Sequence, residues 1–570
     1  MMTPREIMLE LMKPDGQPDR QLDQYEGIFM ALGDPIQSYL NKNRVRGSKS
    51  IDRWGTTILF PESAPGPIPH NTDETKVIKD ITRWREVVHA PDIEHICTEG
   101  WEEFASACRE KNKNQKLFCG FMATGIFEQT HFLMGFEDTL TELYDHPKEM
   151  HELIDYITDY RMLYAKMLID HLQPEAIFSH DDWGTQNALF MPPDMWREFF
   201  KEPYRKLYGY IRSRGVGVIH HADSYLVPII DDMIEIGIQV WQGVLPENDI
   251  PALQKKVKGK LTLMGGIGAA IDRDDISEEE ARAYIRKALE TYCPGGHFIP
   301  SITYGMFGTI YPKIDTYIDS EIAKYNQELH VPKAPLSDIP RRQKGSANQT
   351  AVIEESTAES TDTLSALSKA MQKGQKKKVL TLCEQALSED IDAQAIISDG
   401  LMPGMVALGD DFTAGKAFVP EMLMAAKCMV SATDLLKPYL VGEGTEAKGK
   451  VVLGTTKGDL HDIGKNLVKI MMEGNGLEVI DLGVDVSAEQ FVDTAIKENC
   501  DIIACSSLLT TSMQEMRNVV SLSSERGIRD KVKIMIGGAP VSQSFCDAIG
   551  ADLYTEDAAT AAQEAVKLIS

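Results

Sequence analysis

The sequence predicts an α/β protein built as a (β/α)8 barrel, a four-helix unit and a flavodoxin-like doubly wound sheet. Three observations carry this. Short apolar runs alternate with helical runs through the first 330 or so residues. A stretch rich in Pro, Ser, Thr and Glu, Val331 to Thr363, then breaks the pattern. Beyond Gly449, five strand-like runs alternate with amphipathic helices.

The first piece contains "AIFSHDDWG", "GVGVIHHAD", "IQVWQGV", "LTLMGGIG" and "HFIPSIT", each an apolar run ending in polar or glycine-rich residues. Repeated alternation at this length favours a barrel, whose active site lies at the carboxyl ends of its strands. Asp181, Asp182, His221 and Asp223 then crowd one mouth. Residues two apart on a strand point the same way, so His221 and Asp223 share a face, and His220 points elsewhere as the packing histidine. The stretch from Val331 to Thr363 cannot bury a core and reads as a linker. Thr363 to Leu440 is helical in pattern, with four apolar-periodic segments, and reads as a four-helix unit. From Gly449 the strands "KVVLGTT", "LEVIDLG", "DIIACSS", "KVKIMIGG" and "ADLYT" make a doubly wound sheet whose first and third strands meet at a switch point. The expected domains are 1–335, a linker at 336–362, a helical cap at 363–446 and an α/β domain at 447–570.

The chain has 570 residues and a formal charge of −27, with 43% hydrophobic and 25% charged residues. That is a soluble, multi-domain composition, and it argues against nucleic acid as a partner. The nine cysteines show no zinc-finger spacing, which suggests reduced thiols and a cytoplasmic home. The N-terminal "MMTPREIMLELMKPDG" lacks the apolar core of a signal peptide, and no run approaches the ~20 apolar residues of a membrane span.

"DLHDIG" (Asp459 to Gly464) follows the first strand of the α/β domain, and Ser506 closes the third. A lone histidine is a poor zinc site, but it suffices as one axial ligand of a metal already held by a macrocycle. Asp459, two residues before His461, can fix the tautomer of its ring. With "SSLLTTSMQEM", "IGGAP" and the helical "LMPGMVALGDDF", this motif closely resembles the cobalamin-binding module of methionine synthase and of methanogen and acetogen corrinoid proteins. The resemblance implies cobalamin as cofactor and His461 as the lower ligand of its cobalt. Asp459 and Ser506 form the relay behind that ligand. Asp462, Gly464, Ser506, Leu508, Thr510, Gly537 and Gly538 join the cofactor-binding set, most of them along the slot for the nucleotide tail. Met402, Met405 and Phe412 belong to the cap over the upper face, or to ordinary helical core.

The first piece, through "SIDRWGTTI", "GIFEQTHFLMGFEDTL", "DDWGTQNALFMPPDMWREFFKEPYRKL", "HADSYLVPIIDDMIEIGI" and "GGI", resembles the uroporphyrinogen decarboxylase superfamily. That superfamily holds decarboxylases and methyltransferases that load or unload corrinoid proteins. The arginine-rich porphyrin-carboxylate motif of the decarboxylases is absent, and a corrinoid module shares the chain, so the resemblance implies the methyltransferase branch. Methanogen-type members bind zinc through a His-x-Cys pair and a later Cys. Here the pair reads His221-Ala222-Asp223, and "GGHFIPSITYG" has no cysteine. His221 and Asp223, with Glu128, are candidates for a harder N/O site holding a divalent metal such as zinc, or for a metal-free acid pair.

The expected function is transfer of a methyl group from a small methylated substrate (a methoxylated aromatic, halomethane or methylamine) to cob(I)alamin on the chain's own C-terminal domain. His221, Asp223, Asp182 and Glu128 are the candidate catalytic residues. Tyr304 and Trp183 are candidate walls for an aromatic substrate, with core packing the stronger reading for Trp183. A second methyltransferase and a reductive activase are the expected partners. The rival readings are a non-catalytic corrinoid carrier or sensor with a degenerate barrel, and a decarboxylase-like enzyme.

Overall fold

The computed structural model describes residues 2–42, 44–60, 67–304, 308–328, 363–439, 448–459, 463–507, 512–538, 541–555 and 558–569. The expected linker at 336–362 lies outside the described residues.

The first piece is built on one parallel sheet of seven strands. In chain order these are β1 (Ile28–Ala31), β2 (Leu117–Met122), β3 (Ala176–His180), β4 (Gly217–His221), β5 (Val240–Val244), β6 (Thr262–Ile267) and β7 (Phe298–Ile302), each paired with the next. β4 to β7 are buried along their whole length, which is why they read as continuous apolar runs rather than alternating ones. The barrel type holds, but seven strands rather than eight are paired among the described residues. The remaining seam is closed by side chains: Gln24 Oε1 accepts from Ile302 N (3.3 Å), and the Tyr25 hydroxyl donates to the Tyr304 carbonyl (2.8 Å). Such closure has no apolar-run signature.

Two helices follow β2, α1 (Ile126–Met134) and α2 (Phe136–Asp145). Glu128 in the first turn of α1 accepts from Gly125 N (3.2 Å), satisfying a helix-end donor and fixing where the helix begins. Around the strands, Phe127, Trp183, Trp196, Phe199, Phe200, Tyr204 and Tyr208 are fully buried and form the thickest part of the core.

The helical unit comprises α3 (Thr363–Gln372), α4 (Lys376–Ser388), α5 (Met402–Thr413) and α6 (Val419–Leu436). The α/β unit has strands β8 (Lys450–Thr455), β9 (Glu478–Asp481), β10 (Ile502–Ser506), β11 (Lys533–Gly537) and β12 (Leu553–Thr555) in the order β9-β8-β10-β11-β12. That is the flavodoxin-like order, with its switch point between β8 and β10. Helical and α/β residues share one apolar cluster, in which Met405, Met422 and Cys428 meet Val451, Leu453 and Met472.

Helix α6 also faces the barrel. Val419 and Leu423 pack in the barrel's apolar cluster. The Tyr144 hydroxyl on α2 donates to Glu421 (2.9 Å), and Lys427 donates to the Thr141 hydroxyl (2.7 Å).

Candidate functional site

The barrel site grows from two adjacent parallel strands that end alike. β3 runs out as His180-Asp181-Asp182, and β4 as His221-Ala222-Asp223. The register pairs His180 with His221. Beyond them the Asp223 N–H donates to Asp182 Oδ1 (3.1 Å). The two imidazole rings sit with centroids 4.5 Å apart. His180 Nδ1 meets Glu128 Oε2 of α1 at 3.2 Å. His221 Nδ1 bonds to Gln242 Oε1 on β5, whose Nε2 donates to the Tyr304 carbonyl (2.9 Å). A bulge at Gly243, with φ of +95°, shifts the β5 register just past Gln242. A side chain there would meet the Ala222 carbonyl at 2.9 Å, so glycine is what permits the bulge.

His180, Asp182 and His221 each place a ligand atom so that all three lie within 4.8 Å of one another. The expected metal pair of His221 and Asp223 is therefore corrected: among the described residues, His221 groups with His180 and Asp182, and Asp223 stands beside that group. Glu128 is the partner of His180 rather than a member. Burial by itself would strip the proton from His180. The charge and hydrogen bond of Glu128, helped by Asp182 and Asp223, instead hold its pKa up at about 10. Burial would raise Glu128, but the His180 charge and hydrogen bond pull it below its usual value. Burial and then the Asp182 charge push Asp223 well up, while burial and then His180 push His221 well down.

The other polar strand ends are structural. Asp181 is fully buried and accepts from Phe127 N (2.9 Å), Glu128 N (2.8 Å), Trp183 Nε1 (3.1 Å) and the Tyr204 hydroxyl. It holds the first turn of α1, and so Glu128, at the end of β3. His220 stacks on Trp183 at 4.1 Å and bonds to the Tyr208 hydroxyl (2.8 Å), in keeping with its expected packing role. Trp183 is fully buried and packs among Trp196, Tyr204 and His220, in keeping with the core reading. Tyr304 is only half-buried.

In the α/β unit, the carboxyl ends of β8 and β10 form one crevice. His461, Asp462, Leu508 and Thr510 lie outside the described residues. Asp459, two residues before His461 in the sequence, is fully buried. The Ser512 hydroxyl donates to it (3.3 Å) and bonds in turn to the Ser507 hydroxyl (2.6 Å). The expected relay through Ser506 is corrected accordingly. Ser506 ends β10 and its carbonyl accepts from Thr456 N and Thr456 Oγ1. Ser512 immediately precedes the helix Met513–Glu525, a position where serine is common as a cap, so its residue type alone does not mark it as a partner of Asp459.

Gly464 lies exposed at the head of helix α7 (Ile463–Gly474), with open space where a side chain would stand. Gly537 and Gly538 end β11; a side chain on Gly538, at φ +123°, would sit 1.8 Å from the Ser507 carbonyl. Buried carboxylate, hydroxyl pair and bare backbone together fit a large planar cofactor with a long tail. Of the expected cap residues, Met405 is core, 1% exposed, while Met402 and Phe412 lie half-buried on the margin of the helical unit.

Among the described residues no helix is long and apolar enough to cross a membrane. The uroporphyrinogen decarboxylase (URO-D) family model matches residues 53–313. Two B12 binding domain models match residues 363–437 and 449–566. Dimethylamine corrinoid protein 2 of Methanosarcina acetivorans is 42% identical over 208 residues, 36% of this chain and 95% of that protein. A corrinoid protein of Desulfitobacterium hafniense is 38% identical over 209 residues, 36% of this chain and 97% of that protein. The solved methanol:cobalamin methyltransferase complex MtaBC from Methanosarcina barkeri aligns at 31% identity over 37% of this chain and 80% of that one, with a TM-score of 0.34.

Proposed function

The chain belongs to the corrinoid protein family through its B12-binding C-terminal module, which it joins to a URO-D-type barrel, and on that premise we propose that it is a self-contained corrinoid methyltransferase. The reaction moves a methyl group from a small methylated substrate to cob(I)alamin carried by the same chain. The observation that supports it most is the paired His-x-Asp strand ends beside Glu128 at the mouth of the barrel. A degenerate scaffold has no use for one buried and four half-buried ionisable groups gathered at one strand mouth.

Cobalamin, when bound, supplies the cobalt nucleophile that takes the methyl group. The chain does the rest. The barrel mouth holds the substrate so that its methyl carbon faces the corrinoid module. An ether or amine leaves poorly without help, and the His180–Asp182–His221–Asp223 cluster assists its departure. In the module, His461 is the residue that would hold the cobalt, and Asp459, backed by Ser512 and Ser507, would hold or return a proton at its ring. The glycines at 464, 537 and 538 leave backbone bare along the tail slot. The methyl group then passes to a second methyltransferase.

The test is a screen of methoxylated aromatics, halomethanes and methylamines against the reduced, corrinoid-loaded protein. With one donor class the cob(I)alamin spectrum should be lost within a turnover. If no donor changes it, while a chemical methylating agent does, the barrel is not a methyltransferase for this cofactor.

A further inference from the structure

We propose that Arg161, with Gln129 and Tyr160, forms a carboxylate-binding site beside the barrel mouth, and that the methyl donor is a molecule carrying that carboxylate. The proposal rests on the function above and names the class of its substrate.

Arg161 stands on the helix Pro147–Met167 and is 1% exposed. Its Nη2 donates to the Thr124 hydroxyl (2.7 Å) and to Gln129 Oε1 (2.9 Å), both neutral acceptors. Its Nε and Nη1 reach no acceptor among the described residues. A guanidinium keeps its charge inside a protein, and a buried charge is ordinarily paired. The carboxylates of this region are engaged elsewhere. Asp181 accepts from Phe127 N, Glu128 N, Trp183 Nε1 and the Tyr204 hydroxyl. Asp34 accepts from Ile36 N, Gln37 N and the Tyr164 hydroxyl. Burial accordingly pulls the Arg161 pKa down from its usual value.

The neighbours add donors. Gln129 Oε1 accepts from Arg161 and from the Thr124 hydroxyl (3.0 Å), which turns its Nε2 the other way, where it meets no acceptor. The Tyr160 ring centre lies 5.4 Å from the guanidinium carbon, and its buried hydroxyl is also without a partner. Water can satisfy an amide or a hydroxyl, but it leaves the charge of Arg161 uncompensated. An anion supplies acceptor atoms and the missing charge together, and a carboxylate matches the planar fork of a guanidinium.

Position says whose carboxylate it is. Thr124 lies two residues beyond the end of β2, on the rim where a barrel presents its binding groups. It is half-buried, whereas Arg161 behind it is sealed. Glu128 and Gln129 are consecutive on α1, one facing His180 and the other Arg161. A small molecule anchored by its carboxylate at Arg161 therefore brings its other end toward the strand-end cluster. A methoxybenzoate and an N-methylated amino acid both have that form, with a carboxylate at one end and a methyl group on a heteroatom at the other. A halomethane has no such handle.

The experiment titrates the full chain, free of corrinoid, by calorimetry. The probes are 4-methoxybenzoate against methoxybenzene, N,N-dimethylglycine against trimethylamine, and acetate. At least one carboxylated donor should bind, and its carboxyl-free counterpart should bind about tenfold to hundredfold more weakly, the scale of a hydrogen bond to a charged group. Arg161→Met should erase that difference. Gln129→Glu gives the guanidinium a carboxylate of the protein's own, so its urea midpoint should be at or above that of the wild type while the preference is lost. Acetate binding as tightly as either donor would mean a small-anion site that does not read the substrate, and it overturns the proposal. So does a wild type that binds neither carboxylated donor or shows no preference within either pair, or an undiminished preference in Gln129→Glu. Because no corrinoid is present and no methyl group moves, a failed donor screen and a failed titration remain separate results.

Discussion

Asp459 has its carboxylate sealed from solvent and a serine hydroxyl for company. A buried carboxylate of this kind can orient a proton-bearing ring, and His461, two residues on in the sequence, is the only histidine beyond residue 330. Replacing His461 with Ala should leave some corrinoid bound but remove the nitrogen splitting from the electron paramagnetic resonance spectrum of the Co(II) form. Persistence of that splitting would mean that the cofactor keeps its own base. Ser512→Ala should alter the fraction of the histidine-ligated form in the visible spectrum, whereas Ser506→Ala should not move it through Asp459. In the barrel, His221→Ala and Asp223→Ala should each slow methyl transfer by about a hundredfold. His220→Ala should cost stability instead, since it removes packing against Trp183. A larger rate loss in His220→Ala than in His221→Ala would place the centre elsewhere. At this scale the sequence was legible in part. His221, Asp223, Asp182 and Glu128 converge as expected, because strand parity and barrel topology suffice to bring them together. His180 was missed although it heads a second His-x-Asp run, "HDD" beside "HAD". What marks it is its register with His221, and register is a property of pairing that a single strand does not display.

The first turn of α1 shows how one element is placed by another. Asp181 accepts two backbone N–H groups of that turn along with Trp183 and Tyr204. Asp181→Ala should cost about 3 kcal/mol or more, because each donor left buried without a partner costs about 1–3 kcal/mol. All six tryptophans stand in the first 241 residues, so tryptophan fluorescence during urea unfolding reports the barrel alone. An unchanged midpoint would show that α1 is held by other means. In the α/β unit, Gly538→Ala should both strain the backbone and drive into the Ser507 carbonyl, displacing the β10 end from the crevice. Corrinoid retention through gel filtration should fall, and retention equal to wild type would take Gly538 out of the site. β3 to β7 and β8 to β12 were legible as apolar runs, whereas β1, β2 and a small antiparallel sheet of Ser48–Ile51, Thr57–Phe60 and Ile68–Pro69 were not. The closure of the barrel through Gln24 and Tyr25 was not, since a side chain that ends a ladder looks like any other polar residue.

Across the whole molecule, the four-helix and α/β units share an apolar cluster, so they should behave as one module. Residues 363–570, mixed with hydroxocobalamin, should keep a coloured corrinoid on gel filtration. Loss of colour from a folded fragment would mean that the barrel contributes to binding. The succession of three architectures was readable in the sequence because each has its own periodicity. The contact between α6 and α2 was not, because Val419 and Leu423 occupy apolar positions that the helical unit alone would also demand.

That contact has a kinetic meaning. With Tyr144–Glu421 and Lys427–Thr141 joining the helical unit to the barrel inside one chain, the encounter that the proposed transfer requires is an intramolecular event. The single-turnover rate of corrinoid methylation at saturating donor should therefore be independent of protein concentration, and a hundredfold dilution should leave it unchanged. A free mixture of barrel and module, by contrast, should slow in proportion, as any second-order process does.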